Sequence, residues 1–243
     1  MTRKTLLITG ASSGIGAATA RLAAPDYDLA LHYNGNRAGA EAVASDARSA
    51  GARVSLHRAD LADPASIAPM FDEIDAAHPA LHGLVNNAGV VDVAAPVAEF
   101  TPERVARMVA INLTAPMLVA AQSARRLGPG AAIVNVSSAA ARFGSPGQYA
   151  DYAATKGGLE VFSKGLAQEL APKGIRVTAI RPGIIETEIH AKGGLPDRAA
   201  RLGPTVPMGR AGTAEEVARA ILWLLSDSAS YVTDTVLDVS GGR

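Results

Sequence analysis

The sequence has no cysteine, which removes disulfide frameworks, thiolate metal sites and cysteine nucleophiles from consideration. It has no surplus of charge either. Its 23 Lys and Arg are matched by 23 Asp and Glu, and no run of basic residues stands out, so the attraction that draws proteins to nucleic acids or anionic membranes is missing. Neither is an expected partner, and no metal site is expected. No uninterrupted apolar stretch approaches the roughly 18 residues of a membrane span. The short apolar run behind Arg3 and Lys4 is broken by Gly10, Ser12, Ser13 and Gly14, too soon for a signal peptide. A cytoplasmic protein is the expectation. No repeat, low-complexity tract or linker divides the chain, so one domain over 1–243 is expected.

What the chain does have is apolar material: 48% of its residues are hydrophobic, enough for a substantial core. Short β-rich runs at 5–9, 29–33, 53–57, 83–86, 133–137, 175–180 and 235–239 recur between longer alanine-rich segments. They are nearly continuous rather than alternating, the pattern of strands covered on both faces. The segments between them read as helices with marked ends. Thr101-Pro102 offers an N-cap and a proline at the first helical position, Thr213 to Glu216 spells a capping box, and Gly51 and Gly174 follow helix ends. This alternation predicts an α/β protein: a Rossmann-type, doubly wound, seven-stranded parallel sheet with helices on both faces. One stretch breaks the rhythm. Residues 187–210, rich in Gly, Pro and Arg, are expected to be a substrate-loop segment over a cleft, with an ordinary surface excursion as the alternative.

The stretch TGASSGIG, residues 9–16, directly follows the apolar run Leu6-Leu7-Ile8. In a doubly wound sheet this first strand-to-helix turn lies at the carboxyl edge, where a helix N-terminus presents unpaired N–H groups and a positive dipole end. Gly10 permits the tight turn, Gly14 a close approach to phosphate, and Gly16 close packing of helix on strand, while Ser12 and Ser13 carry hydroxyl donors. No Gly-Lys-Ser/Thr follows, which argues against a nucleotide-hydrolysing phosphate loop. Asp60-Leu61 after the third strand places a carboxylate where it can accept from an adenine amino group, and Asn86-Asn87-Ala88-Gly89 closes the fourth strand. Tyr152 and Lys156 lie four apart in a helical segment at 149–170 and so share one face. Ser138 sits just beyond the strand at 133–136, at the same sheet edge.

Together, TGASSGIG, Asp60, NNAG at 86–89, Asn112, the serine after the fifth strand, Tyr152-xxx-Lys156, and Pro182-Gly183 with Thr187 resemble the short-chain dehydrogenase/reductase family, in its order and over essentially the whole chain. The resemblance implies interconversion of a ketone or aldehyde and an alcohol by hydride transfer. Negative charge then builds on the carbonyl oxygen and calls for a proton donor and a neutral hydrogen-bond donor. Tyr152 would be the general acid/base, its pKa lowered by the Lys156 ammonium, and Ser138 would steady the substrate oxygen. The resemblance further implies that Lys156 holds the nicotinamide ribose and that Asn112 organises a water chain to it. It also implies that Ile15, Asn87, Ala88, Gly89, Pro182, Gly183, Ile185 and Thr187 border the cofactor. Ser138 and Tyr152 are one position further apart than is usual in the family, which an extra residue in the intervening loop would explain. Ser137 should face the other way.

The second strand ends in Asn34-Gly35-Asn36-Arg37, with no acid to grip ribose hydroxyls. With Asn34, Asn36 and Arg37 there, NADP(H) is expected in preference to NAD(H). Substrate would be a small carbonyl or alcohol in a mixed, partly apolar pocket drawn from Val91, Val93, Phe143, Tyr149, Ile189 and His190, with Arg198 and Arg201 able to bind an anion or simply be solvated. A homotetramer, pairing through the Tyr152 helix and the helix around 105–125, is implied by the resemblance. The alternative to an enzyme is a non-catalytic dinucleotide sensor on the same fold.

Overall fold

The computed structural model describes residues 3–243, the side chains of His190 and Lys192 excepted. Seven parallel strands form one sheet in the order β3-β2-β1-β4-β5-β6-β7. They are β1 (Lys4–Ile8), β2 (Tyr27–Tyr33), β3 (Val54–Arg58), β4 (Gly83–Asn86), β5 (Ala132–Val136), β6 (Arg176–Pro182) and β7 (Thr235–Val239). Each expected strand is present, with ends moved by no more than two residues. The chain order reverses between β1 and β4, which pair directly through Leu6–Gly83 to Ile8–Val85.

Continuous hydrophobicity along the strands follows from cover on both sides. Leu6, Ile8, Leu29 and Leu31 pack with α1 (Gly14–Ala23), α2 (Arg37–Ser49) and α10 (Ala214–Leu225). Their strand neighbours Leu7, Ala30, Leu84 and Ile133 point the opposite way, onto α3 (Ile67–Ala77), α5 (Ala115–Ala124) and α7 (Ala150–Leu170). Residue alternation thus sends every second side chain into one of two apolar layers.

Helix ends follow the side-chain chemistry. Thr101 accepts from the Arg104 N–H at the start of α4 (Pro102–Val109), and Thr213 and Glu216 complete the capping box of α10. Gly51 and Gly174 leave their helices at φ +93° and +72°. Helix α4 runs through a widened π turn, Ala110–Thr114, into α5. This continuous helix, Pro102–Ala124, is long and apolar enough by composition to cross a membrane, with a mean hydropathy of 1.3 over its best window. The count of uninterrupted apolar runs missed this because Arg104, Arg107 and Asn112 break the run, while the apolar residues around them keep the window's average high. In the fold its inner face lies on the sheet, burying Met108, Ala115, Val119 and Ala120.

After the sheet's sixth strand, residues 187–210 form two short helices, α8 (Ile189–Lys192) and α9 (Arg198–Leu202), and a single tight turn at Gly203–Thr205. Between β5 and α7 lies α6 (Ala140–Phe143), closed by Gly144 at φ +69°, Ser145 at +45° and Gly147 at +70°.

Candidate active site

At the carboxyl edge of β1, β4, β5 and β6 opens a cleft of about 730 Å³. Its rear is built where the strand order reverses. Thr9 Oγ1 accepts from the N–H groups of both Asn87 and Ala88 at 3.0 Å. Asn87 Nδ2 returns two hydrogen bonds, to the carbonyls of Thr9 at 3.0 Å and Gly10 at 3.2 Å. The two loops therefore hold each other in place. Gly10, at φ +66°, leaves no room for a side chain, since a Cβ there would lie 2.9 Å from Ala88 Cα. Gly16 packs as tightly, and a Cβ on it would lie 2.4 Å from the Gly10 carbonyl oxygen. Ser12, Ser13, Gly14 and Ile15 face the cleft, and Ser13, at the N-cap of α1, makes no side-chain cap. The first N–H groups of α1 are left for an anion, so this cradle fits the pyrophosphate of a dinucleotide.

One ring fixes the cradle from behind. His32, at the end of β2 and 2% exposed, accepts the Gly10 N–H on Nδ1 at 3.1 Å and donates from Nε2 to the Ala59 carbonyl at 3.1 Å. Accepting on one nitrogen while donating from the other requires the neutral imidazole, and burial lowers its pKa from 6.5 to about 4. The unfolded chain protonates His32 near pH 6.5, whereas the folded protein resists until about 4. Its contribution to stability is thus complete above 6.5 and is lost as pH falls through that window, amounting to about 3 kcal/mol at 1.4 kcal/mol per pH unit. Burial pushes His57 and His78 the same way. Urea unfolding from pH 7 to 4 is expected to show this decline and His32→Gln to flatten it. An equally steep decline in the variant would refute the assignment. Glu216, held near 2 by Arg210 and the Thr213 N–H, makes a contribution that is lost only as pH falls from about 4.5 towards 2.

At the end of the cleft where the sequence leads one to expect the adenosine, Asn34, Asn36, Asp60 and Leu61 form the lining. Asp60 Oδ1 accepts from Asn34 Nδ2 at 3.3 Å and from the Ala62 N–H at 3.0 Å. Asn36 Oδ1 caps α2 by accepting the Gly39 N–H at 3.0 Å. Arg37 departs from expectation. Its guanidinium does not line the cleft, because Glu41, one turn along the exposed helix, holds its Nε at 2.7 Å.

At the other end, Ser138, Tyr152 and Lys156 come together. Ser138, on the same wall, favours the ionised form of the Tyr152 phenol, but loss of water around the ring outweighs this and raises its pKa above the ordinary value of 10. The lowering by Lys156 expected from the sequence is not what the structure gives. The ammonium lies 5.7 Å from the Tyr152 ring centre and donates to the Val136 carbonyl at 2.7 Å. Lys156 is itself buried, which brings its pKa down to about 8 against the opposing pull of Glu160. Ser137 turns the other way, donating to Glu160 Oε1 at 2.6 Å. Asn112, fully buried in the π turn, does not reach the cleft surface. Its amide clamps Val90 by accepting that residue's N–H and donating to its carbonyl, both at 2.9 Å. Only Gly89 separates it from Lys156: a Cβ on this glycine would lie 3.1 Å from Asn112 Oδ1 and 3.4 Å from Lys156 Nζ.

Ala88, Gly89, Pro182, Gly183, Ile185 and Thr187 also border the cleft, as do Val91, Phe143, Tyr149, Ile189 and Arg198. Val93 does not, being 61% exposed, nor does Arg201, and the His190 side chain lies outside the described residues. The sequence does not single out His32, Arg107 and Arg243 as wall residues. A histidine within an apolar strand was the available signal for the first, and none marked the others.

A family model described as Enoyl-(Acyl carrier protein) reductase matches residues 10–243. An uncharacterized oxidoreductase of Escherichia coli K12, YgfF, is 45% identical over 98% of each chain. The chain belongs to the short-chain dehydrogenase/reductase family. Another relative is cis-4-hydroxycyclohexanecarboxylate dehydrogenase of Sinomonas cyclohexanicum, 39% identical over 97% of this chain and 94% of that one. Among solved structures, a short-chain dehydrogenase of Burkholderia cenocepacia J2315 in complex with NADP superposes with a TM-score of 0.92 at 30% identity, covering 98% of this chain and 97% of that one. As a short-chain dehydrogenase/reductase, the protein is an oxidoreductase.

Proposed function

We propose that this short-chain dehydrogenase/reductase interconverts a small ketone or aldehyde and its alcohol, using NADP(H) in preference to NAD(H). The observation that carries this reading is the convergence of Ser138, Tyr152 and, one helical turn away, buried Lys156 on one cleft wall, beside a glycine cradle fit for pyrophosphate. When bound, the nicotinamide supplies the hydride. Ser138 orients the substrate oxygen, and Tyr152, protonated because burial raises its pKa, delivers the proton to it. Lys156, one turn along α7, would hold the ribose hydroxyls and keep a positive charge near the phenol. Asn112 fixes the loop at Val90 that closes the site beside Gly89. Residues 187–210 form the substrate loop, contributing Thr187, Ile189, Arg198 and Leu202 to the wall.

The NADP(H) preference rests on Asn34 and Asn36 at the end of β2, where a carboxylate would repel a 2′-phosphate. With Arg37 held by Glu41, the asparagine amides are donors at this edge, each keeping one N–H beyond the bonds from Asn34 Nδ2 to Asp60 and from Asn36 Nδ2 to the Ser12 carbonyl. A fluorescence titration should show NADPH binding tighter than NADH, and the reverse order would overturn the preference. A panel of ketones and alcohols followed by NADPH absorbance tests the reaction. Tight NADPH binding with no turnover across the panel would favour a sensor. A homotetramer is proposed through α4, α5 and α7, whose outer faces expose Val105, Val109, Leu118 and Val161.

A further inference from the structure

We propose that the substrate of this enzyme carries a carboxylate, received by Arg198 and Arg243 at the outer end of the cleft. The inference rests on the carbonyl–alcohol reading above and adds the substrate's chemical class. Both guanidiniums line the cleft and both are only partly exposed. Arg198 is held in place, with Nη1 donating to Gln148 Oε1 at 2.6 Å and its guanidinium carbon 5.2 Å from the Tyr149 ring centre. Arg243 lies 5.9 Å from the Phe143 ring centre.

What sets these two apart is that no acidic side chain is paired with them. Neighbouring arginines are neutralised: Arg107 by Asp92 at 3.1 Å, Arg142 by Asp238 at 3.1 Å, and Arg104 by Asp151 at 2.7 Å. Among the described residues, neither Arg198 nor Arg243 has a side-chain carboxylate within ion-pair distance. Of the cleft's own acids, Asp60 sits at the adenosine end and Asp92 is engaged by Arg107, which leaves Glu188 on the substrate loop, unpaired with either. Burial and the charges of Arg243 and Arg201 lower the Arg198 pKa, so the two cations oppose each other across a partly desolvated wall. An anion between them removes that opposition. A planar fork on an aromatic floor of Phe143 and Tyr149 suits a carboxylate on an organic body, with the carbonyl or alcohol reaching inward to Tyr152.

Calorimetry on the NADP-loaded protein with cyclohexanecarboxylate and the isosteric cyclohexanecarboxamide tests the site without chemistry. The acid is expected to bind about tenfold or more tightly than the amide. That preference should collapse in Arg198→Gln combined with Arg243→Gln. Equal affinities, no binding of the acid, or a preference that survives in the double variant would overturn the proposal. A second arm compares kcat/KM for matched keto acids and their methyl esters. Faster turnover of the esters defeats the carboxylate site alone. An acid preference in calorimetry with no turnover of any ketone leaves that site standing and defeats the oxidoreductase reading instead.

Discussion

Tyr152→Phe is expected to lower kcat for carbonyl reduction by about 10²- to 10⁴-fold while leaving NADPH bound, because only the proton donor is removed. The ring still fills its place on α7, so the cradle of Gly10 to Ile15 is undisturbed, and Ser138 retains its contact with the Ala140 N–H. A loss smaller than tenfold would mean that another group supplies the proton. The pH profile gives a separate reading of the same site. In the free enzyme Lys156 titrates at about 8, whereas Tyr152 stays protonated past 10. As pH rises through about 8 the ammonium loses its charge first, so kcat/KM for reduction is expected to fall there. A flat profile up to pH 10 would remove Lys156 from the mechanism.

The second large effect is on stability. Arg104→Ala is expected to cost about 3–5 kcal/mol in urea unfolding at pH 7, because it strands a buried carboxylate. Asp151, whose side chain is 3% exposed, receives Arg104 Nε at 2.7 Å and Nη2 at 3.3 Å. Arg104 also donates to the Val93 carbonyl at 2.6 Å and stacks on Phe100 at 4.4 Å, so one side chain joins α4, the loop after β4 and the start of α7. The same Asp151 carboxylate accepts the Tyr152 N–H at 2.9 Å, which ties the pair to the site. Replacing both partners with apolar residues, as in Arg104→Met with Asp151→Leu, should recover much of the loss, since the cost lies in the unpaired charge. A change below 1 kcal/mol in the single variant would show that water reaches Asp151 after all.

These two cases differ in how far the sequence announced them. Tyr152, Lys156 and Ser138 were legible because strand ends and a four-residue helical spacing are local patterns, and the parallel architecture brings strand ends to one edge. The same holds for the strands themselves and for the caps at Thr101 and Thr213. Arg104 and Asp151 are 47 positions apart, and nothing local joins them. Arg198 and Arg243 likewise meet only in the folded chain. The direction in which Arg37 turns was not legible for a related reason: proximity in sequence to the end of β2 does not say which way a long side chain points, and Glu41 four residues on offers a partner on its own helix. The direction of the Tyr152 shift was missed because burial, the larger effect, has no signature in the spacing of two residues.

The imidazole behind the glycine turn has a wider consequence. It is a crosspiece between the loops following the first and third strands, and it works only while one nitrogen keeps a lone pair. Once acid takes that lone pair, two N–H groups face each other across about 3 Å, and the nucleotide's seat is pushed out of shape from the rear. Grip on the coenzyme would therefore fail in acid before the sheet itself comes apart.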